Sequence, residues 1–194
     1  MGVLWGQLDL LEQLAAYKVR PSKSTPPHKF ETGTLNHEGL AGISGAIDYL
    51  AEVGRNYGNP LNSGADDTRN RYTERRRELK LAMDAIMAYE RPLFADLLTG
   101  IQKISGIRIY GITDPMESGQ RCPTLAFTRE GFTPSQIAEH LGNHGIFVWE
   151  GNYYALAVTQ RLGVEDSGGM VRVGLAHYNT KEEIDRLLMV LKNM

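Results

Sequence analysis

The sequence predicts an α/β fold for its last ninety or so residues, preceded by a long helix. Four short apolar runs in this part have the length and composition of strands, and helical segments lie between and after them. The runs are IRIYG, TLAFT, GIFVW and MVRVGL. Before them, apolar residues recur at helical spacing from Leu79 to Ile101, and Pro92 should kink or restart this helix.

The part of the chain before the long helix alternates between ordered and irregular patterns. Residues 1–6 hold three large apolar side chains between glycines, which predicts a short buried strand. The proline-rich stretch 20–27 predicts a linker or an extended crossing segment. A helix should begin near Asn36, a good cap residue, and continue to Gly54. A polar surface loop should follow over residues 57–70.

Two later helix starts have the sequence pattern of a capping box. Thr133 lies three residues before Gln136, and Thr180 lies three residues before Glu183. In this pattern the threonine hydroxyl and the longer side chain each satisfy a free backbone N–H group of the first turn. The last helix should then bury an apolar stripe made of Ile184, Leu187, Leu188 and Leu191.

Composition and charge exclude several classes of function. A charged fraction of 23% and a net charge of −2 are ordinary for a soluble globular protein and predict no nucleic-acid or membrane partner. Cys122, the single cysteine, excludes an internal disulfide and a cysteine-built metal site. No signal peptide or membrane span is predicted at the amino terminus, so we expect a cytoplasmic protein.

Two clusters of ionisable residues have an ordinary structural interpretation. Five arginines between Arg69 and Arg77 raise nucleic-acid binding as a hypothesis, but the acidic residues among them favour a solvated, salt-bridged helix face. His140 and His144 lie near one helix end and are interpreted as surface residues, because two ligands do not make a catalytic metal site. We therefore predict no metal ligand.

Arg172 is the first candidate for a binding residue. It lies between Val171 and Val173 in an apolar strand, where an unpaired guanidinium would be costly, so it should meet an anion or a carboxylate. A structural ion pair with a local acidic residue is the alternative.

Two loops offer further candidates. The turn 31–36 places a glycine and two hydroxyl groups before a helix, an arrangement that can present N–H groups to phosphate, although most such turns are only caps. The segment 149–154 follows a strand and supplies aromatic and amide groups that could line a pocket, although ordinary packing explains them as well.

Taken in order, these segments resemble one family. The pieces FETGT, IRIYG, RCPTLAF, GIFVWEG and VRVGLAHYNTKEEID are similar to the carboxy-terminal half of cysteine desulfurase-like enzymes, which belong to the class-V aminotransferases of fold type I. The resemblance covers nearly the whole chain. It implies a small domain with a mainly antiparallel sheet and helices packed on it. Residues 1–35 would be a remnant of the large domain with a crossing segment, and residues 36–194 the small domain with its long connecting helix.

The resemblance also implies ligands and site residues. Pyridoxal phosphate would be the cofactor of the complete enzyme, a small amino acid its substrate and a homodimer its assembly. Arg172 would bind the α-carboxylate of the substrate, with Asn152 and Tyr154 beside it. Gly33 and Thr34 would reach the cofactor phosphate of the other subunit.

The lysines depart from the family pattern. Family members hold the cofactor through a lysine that lies shortly before a strand resembling residues 1–6, so that lysine is expected upstream of this sequence. Lys29 falls directly before FETGT, which is not the context of that lysine. The chain by itself is therefore expected to be inactive and to bind no cofactor, and no catalytic residue is assigned in it.

A second departure concerns sulfur. Persulfide-forming cysteine desulfurases have a cysteine on the loop before the substrate arginine, where this chain has Asn152, Tyr153 and Tyr154. Cys122 precedes an apolar strand and is expected to be buried and unreactive. Carbon–sulfur lyase or transferase chemistry remains the first expectation. The alternatives are an aminotransferase, an epimerase, or a non-catalytic truncated or split-gene product that binds a partner.

Overall fold

The computed structural model of the chain describes residues 2–59 and 74–194. It divides into two compact units, Met1–Ala82 and Met83–Met194. The predicted boundary between a large-domain remnant, residues 1–35, and the small domain, residues 36–194, stays a prediction.

The elements alternate between helices and strands after a helical first part, as an α/β fold requires. The helices are α1 (Leu8–Gln13), α2 (His37–Tyr57), α3 (Glu74–Ile101), α4 (Pro134–Asn143), α5 (Leu156–Leu162) and α6 (Lys181–Lys192). The strands are β1 (Ile107–Tyr110), β2 (Thr124–Arg129), β3 (Trp149–Gly151) and β4 (Met170–Gly174). Short 3₁₀ helices occupy His28–Phe30 and Pro115–Gln120.

The strand predicted at the amino terminus is not present in the described residues. Residues 2–7 have no regular structure, and Val3, Leu4 and Trp5 are 72%, 91% and 81% exposed. A strand forms only where a neighbouring strand satisfies its backbone groups, and no described residue pairs with this segment. The prediction of a buried strand is therefore wrong for this structure.

Helix α2 confirms the predicted start and extends beyond the predicted end. The side chain of Asn36 accepts a hydrogen bond from the N–H of Gly39 at 2.7 Å, which is the expected cap. The helix continues past Gly54 because that glycine serves a packing role: a Cβ atom added there would lie 1.9 Å from the carbonyl oxygen of Glu78. Gly54 thus allows the backbones of α2 and the first turns of α3 to touch.

Ion pairs at the start of α3 support the predicted salt-bridged face. Arg55 Nη1 lies 2.9 Å from a carboxylate oxygen of Glu78, and Arg75 Nη2 lies 2.6 Å from one of Asp48. Residues 60–73, which contain most of the predicted loop and the first part of the arginine cluster, lie outside the described residues.

Helix α3 does not restart at Pro92. It is one continuous helix over Glu74–Ile101. Pro92 is exposed, and so is Ala88, whose carbonyl would otherwise accept the hydrogen bond that proline cannot donate. Since both residues are exposed, water can replace the bond that proline cannot donate.

The four strands form one antiparallel sheet in the order β1-β2-β4-β3. Three of the predicted runs form strands at the expected places, whereas the third strand begins at Trp149 and not at Gly145. Residues of α3, α4 and α6 cover one face of the sheet and form a single apolar cluster with it. Fully buried members of this cluster are Phe94, Leu97, Leu98, Ile101, Leu125, Phe127, Ile137, Leu141, Val171, Ile184 and Leu191.

Both predicted capping boxes are confirmed. Thr133 with Gln136 and Thr180 with Glu183 each show the reciprocal pair of hydrogen bonds. Of the predicted stripe on α6, Ile184, Leu187 and Leu191 are buried. No helix in the described part of the chain is long and apolar enough to cross a membrane.

The exposed apolar side chains at the amino terminus predict self-association. We expect sedimentation velocity over a concentration series to show oligomers, because burying a large apolar side chain contributes roughly 1.5–3 kcal/mol. Changing Leu4 and Trp5 together to serine should weaken this association about ten-fold or more. Met116→Ser, which changes a side chain 91% exposed in the other unit, is the control. A chain that stays monomeric at every concentration contradicts this prediction.

Candidate functional site

The position of Arg172 follows from the alternation of strand β4. Side chains of neighbouring strand residues point to opposite faces, and the burial pattern of β4 alternates accordingly from Val171 to Gly174. Val171 and Val173 are buried in the apolar cluster, whereas Arg172 is exposed. The expectation that Arg172 is held within an apolar environment is therefore wrong, because its apolar neighbours in sequence face the other side of the sheet.

Arg172 lies in a row of residues that crosses the sheet. The register pairs it with Ala126 of β2 and with Trp149 of β3, and Ala126 pairs in turn with Tyr110 of β1. Directly opposed residues share one face of an antiparallel sheet, so all four belong to the face away from the apolar cluster. Ala126 is the smallest of them and leaves space beside the guanidinium.

The guanidinium of Arg172 stacks on an aromatic ring. Its central carbon lies 4.9 Å from the ring centroid of Tyr153, within the range of a cation–π contact. No ion pair of Arg172 is present among residues 2–59 and 74–194. The structural ion pair considered as an alternative is thus not found there, and the charge remains available to a ligand.

Tyr153 is itself fixed by a hydrogen bond. Its hydroxyl donates to the carbonyl of Met170, two residues before Arg172 on β4. Burial raises the pKa of Tyr153 to about 12, although the positive charge of Arg172 opposes that shift. The phenol therefore stays protonated and remains a donor at neutral pH.

The segment that contains Tyr153 is a left-handed turn with internal bracing. Tyr153 and Tyr154 have φ angles of 56° and 59°, which non-glycine residues seldom adopt. The side chain of Asn152 accepts from the N–H of Tyr154 at 3.1 Å and donates to Glu165 at 3.1 Å. The hydroxyl of Thr159, which is fully buried, also donates to Glu165. These bonds hold a conformation that would otherwise be unfavourable.

Sequence reasoning selected Asn152 and Tyr154 in this segment but not the contact residue. Tyr154 is fully exposed, whereas Tyr153 touches Arg172. Glu165 was also missed, although it anchors Asn152. The pair of adjacent tyrosines was visible in the sequence, but nothing in it distinguishes which ring turns toward β4.

Gly33 and Thr34 belong to the other unit, in an exposed turn before α2. Gly33 has a φ of 71°, and no heavy atom of the described residues, its chain neighbours apart, lies within 4 Å of the position that a Cβ would occupy. Gly33 also lines a groove of about 460 Å³. The other lining residues are Ala16, Tyr17, Lys18, Val19, Ser22 and Thr32. One ammonium group, hydroxyl groups and no carboxylate are a donor set that fits a phosphate.

Lys29 has a structural environment. It is 8% exposed, and its ammonium donates to the carbonyls of Glu12 and Leu14 at 3.0 and 2.9 Å. These bonds connect the end of α1 to the turn before α2. The ammonium group of Lys29 is therefore engaged in hydrogen bonds to backbone carbonyls of its own unit.

Cys122 differs from its prediction. It is exposed on the loop before β2, so the expectation of a buried thiol is wrong. The apolar strand residues that suggested burial begin after Pro123, and the loop itself lies at the surface. The thiol lies four residues before Ala126, the β2 neighbour of Arg172, which is up to about 13 Å along an extended chain.

His140 on α4 and His144, directly after it, form a local contact. His144 is exposed, His140 is partly buried, and their ring centroids are 4.6 Å apart. In the portion of the chain that the structure describes, no group of three or more potential ligands could hold a metal ion.

Comparison with known proteins identifies relatives of the chain. The model of the aminotransferase class-V family matches residues 77–187. A probable cysteine desulfurase of Xylella fastidiosa is 32% identical over 87% of this chain and 32% of its own length. A cysteine desulfurase of Synechococcus elongatus is 27% identical over the whole of this chain and 27% of its own length. The chain thus spans about a third of the length of these relatives.

Solved structures share the fold. A crystal structure of the cysteine desulfurase CsdA of Escherichia coli superposes with a TM-score of 0.65 and 23% identity over 97% of this chain and 41% of its own. A cysteine desulfurase of Thermococcus onnurineus NA1 has a TM-score of 0.62, also at 23% identity, over 87% of this chain and 34% of its own. These similarities confirm the predicted fold, a mainly antiparallel sheet with helices packed on it.

The raised pKa of Tyr153 predicts a pH dependence of stability. The folded state favours the protonated phenol, so its contribution is fully present below about pH 10 and is lost as pH rises through about 12. The difference in unfolding free energy between the wild type and Tyr153→Phe should shrink over that window in denaturant titrations. A difference that does not change with pH contradicts the burial that raises the pKa of this phenol.

Proposed function

The chain belongs to the aminotransferase class-V family, and on that premise we propose that it forms the carboxy-terminal small domain of a cysteine desulfurase-like enzyme that uses pyridoxal phosphate. The proposed substrate is a small amino acid, and the proposed reaction is carbon–sulfur cleavage or group transfer. One observation supports this most directly. Arg172 presents a guanidinium that has no ion-pair partner among residues 2–59 and 74–194, on the sheet face away from the apolar cluster.

Arg172 would bind the α-carboxylate of the substrate. A guanidinium presents parallel N–H groups that match the two oxygens of a carboxylate, so one residue fixes both the position and the plane of the substrate's acid group. Ala126 beside it leaves room for the ligand on the sheet face. Trp149 on the other side is 58% exposed and would limit how the substrate approaches.

Asn152 and Tyr154 would contact the rest of the substrate. The side-chain oxygen of Asn152 accepts from Tyr154 and one N–H donates to Glu165, while its second N–H has no hydrogen-bond partner in the described part of the chain and could serve a ligand. The phenol of Tyr154 is fully exposed and can donate or accept. These two groups would orient the substrate once Arg172 has bound its carboxylate.

Gly33 and Thr34 would hold the cofactor phosphate, in the proposed homodimer that of the partner subunit. The open left-handed turn lets a phosphate approach backbone N–H groups without meeting a side chain. Lys18 in the same groove would add a positive charge. When bound, pyridoxal phosphate supplies the electron sink that allows bonds at the substrate's α-carbon to break.

Two lysines have structural contacts, which supports the proposal that the chain has no turnover by itself. Lys29 is buried against backbone carbonyls, and Lys181 forms ion pairs with Asp96 and Asp185. The residue that binds the cofactor covalently would then lie in another part of the complete enzyme.

The second candidate function is a reaction that uses pyridoxal phosphate but forms no persulfide. The turn 152–154 carries no thiol, and Cys122 lies on a separate loop. β-Elimination, transamination and epimerisation need no cysteine beside the substrate. Release of pyruvate indicates elimination, whereas exchange with a keto acid indicates transamination.

Arg172→Ala tests the proposed carboxylate site in the full-length enzyme, with the 194-residue chain alone as the inactive baseline. We expect the KM for amino acids to rise about ten-fold or more, because hydrogen bonds to charged groups contribute about 1.5–3 kcal/mol. Arg172→Lys should give an intermediate KM, since lysine keeps the positive charge but lacks the parallel N–H groups of the guanidinium. The unfolding free energy should change by less than about 0.5 kcal/mol, because the side chain is exposed. A large loss of stability with an unchanged KM contradicts the proposal.

Cys122→Ser tests whether sulfur is transferred through the thiol. We expect turnover of cysteine-like substrates to stay within about three-fold, because a persulfide step needs a thiolate that reaches the substrate's sulfur beside Arg172. Mass spectrometry should find no persulfide on Cys122 during turnover. Loss of turnover with an intact fold, or a persulfide on Cys122, shows that the thiol participates.

A further inference from the structure

We propose that Tyr153 is the positioning residue of the substrate site: it holds the Arg172 guanidinium in the orientation that receives the carboxylate. This inference rests on the proposed carboxylate role of Arg172 and adds to it a residue that acts through that arginine. Four geometric observations support it.

The first is the stacking contact itself. With its central carbon 4.9 Å from the ring centroid of Tyr153, the guanidinium lies over the ring at the distance of a cation–π contact. A stacked guanidinium keeps its N–H groups in its own plane and therefore free at its edges. A long, exposed arginine side chain would otherwise sample many rotamers and lose entropy when it binds. The ring thus reduces the cost of ordering Arg172.

The second is the anchor of the ring. The Tyr153 hydroxyl donates to the carbonyl of Met170, on the same strand as Arg172. The ring is therefore fixed at its hydroxyl end to the backbone of the strand that carries the guanidinium. Because the hydroxyl hydrogen is committed to this carbonyl, Tyr153 does not offer it to a substrate, which favours a positioning role over proton transfer.

The third is the backbone of the turn. Tyr153 and Tyr154 both have left-handed φ angles, which cost free energy and persist only where the surroundings fix them. Asn152 supplies that support through Glu165, which in turn accepts from the buried hydroxyl of Thr159. The turn is thus built to direct the Tyr153 ring onto β4.

The fourth is the close approach of a second segment. Gly169, just before β4, has a φ of 84°, and a Cβ atom there would lie 2.2 Å from the carbonyl oxygen of Gly151. This contact holds the chain before Asn152 against the start of β4. The turn is therefore joined to β4 by a backbone contact, between Gly151 and Gly169, and by the side chain of Tyr153.

The experiment compares Tyr153→Asn with Tyr153→Phe in the 194-residue chain. Asparagine tolerates left-handed φ angles, so it removes the ring with little backbone cost. Tyr154→Asn changes the neighbouring left-handed position without removing the stacked ring and is the matched control. We expect ¹⁵N relaxation of the Arg172 Nε–Hε group to show an ordered side chain in the wild type, Tyr153→Phe and Tyr154→Asn, and a mobile one in Tyr153→Asn. If Tyr153→Asn does not fold, Tyr153→Gly removes the ring at the same φ.

Kinetics in the full-length enzyme give the second readout. Tyr153→Asn should raise the KM for the amino acid about three- to five-fold, the size expected for loss of an exposed cation–π contact, with kcat within about two-fold. Tyr153→Phe should keep the KM within about two-fold of the wild type, since its ring still stacks. Tyr57→Leu, which changes an exposed tyrosine of the other unit, should leave both parameters unchanged.

The possible results separate the two proposals. An ordered Arg172 in the ring-free variants, or a mobile Arg172 with an unchanged KM, overturns the positioning role of Tyr153. A loss of kcat with unchanged KM also overturns it. If Arg172→Ala leaves the KM unchanged, the proposed carboxylate role of Arg172 is wrong. Tyr153 then has no role in substrate binding, even if ¹⁵N relaxation shows that its ring orders Arg172.

Discussion

The alternation of side chains along β4 is the constraint on which the proposed site depends. β4 pairs with β2 on one side and β3 on the other, so both of its neighbours fix its register. Val171 and Val173 are buried in the apolar cluster, which leaves Arg172 no position but the opposite face. A shift of one residue would put the guanidinium into that cluster and both valines into water. Core packing and the position of the proposed binding residue are therefore set by the same register.

The turn that follows β3 complements this strand. Its left-handed backbone is unfavourable by itself. Glu165, in the loop after α5, stabilises it by accepting from Asn152, and Thr159 of α5 donates to the same carboxylate. The Tyr153 ring then spans from a carbonyl of β4 to the guanidinium of β4. Strain at one segment is thus offset by hydrogen bonds from another, an arrangement typical of functional sites.

For three predictions made from local sequence, the structure shows a different environment from the one expected. Cys122 was expected to be buried because an apolar strand follows it, and residues 1–6 because they hold three large apolar side chains, yet Cys122, Val3, Leu4 and Trp5 are exposed. Arg172 was expected to lie in an apolar environment for the same reason. In each case, nearness in sequence was taken for contact in space. Burial requires a partner surface, which neither a strand-like composition nor an adjacent valine supplies.

The sequence by itself determined the elements whose signals are local. Helical spacing, the two threonine capping boxes, the Asn36 cap and most of the strand runs depend on residues within one or two turns, and the structure confirms them. The sequence also indicated Arg172, Asn152 and Tyr154 as site residues. Only the tertiary structure decided that Tyr153 contacts Arg172, that Glu165 braces the turn and that Gly54 lets two helices touch. These contacts join residues that lie 13 to 24 positions apart, and their geometry is fixed by strand register and packing, which no local pattern records.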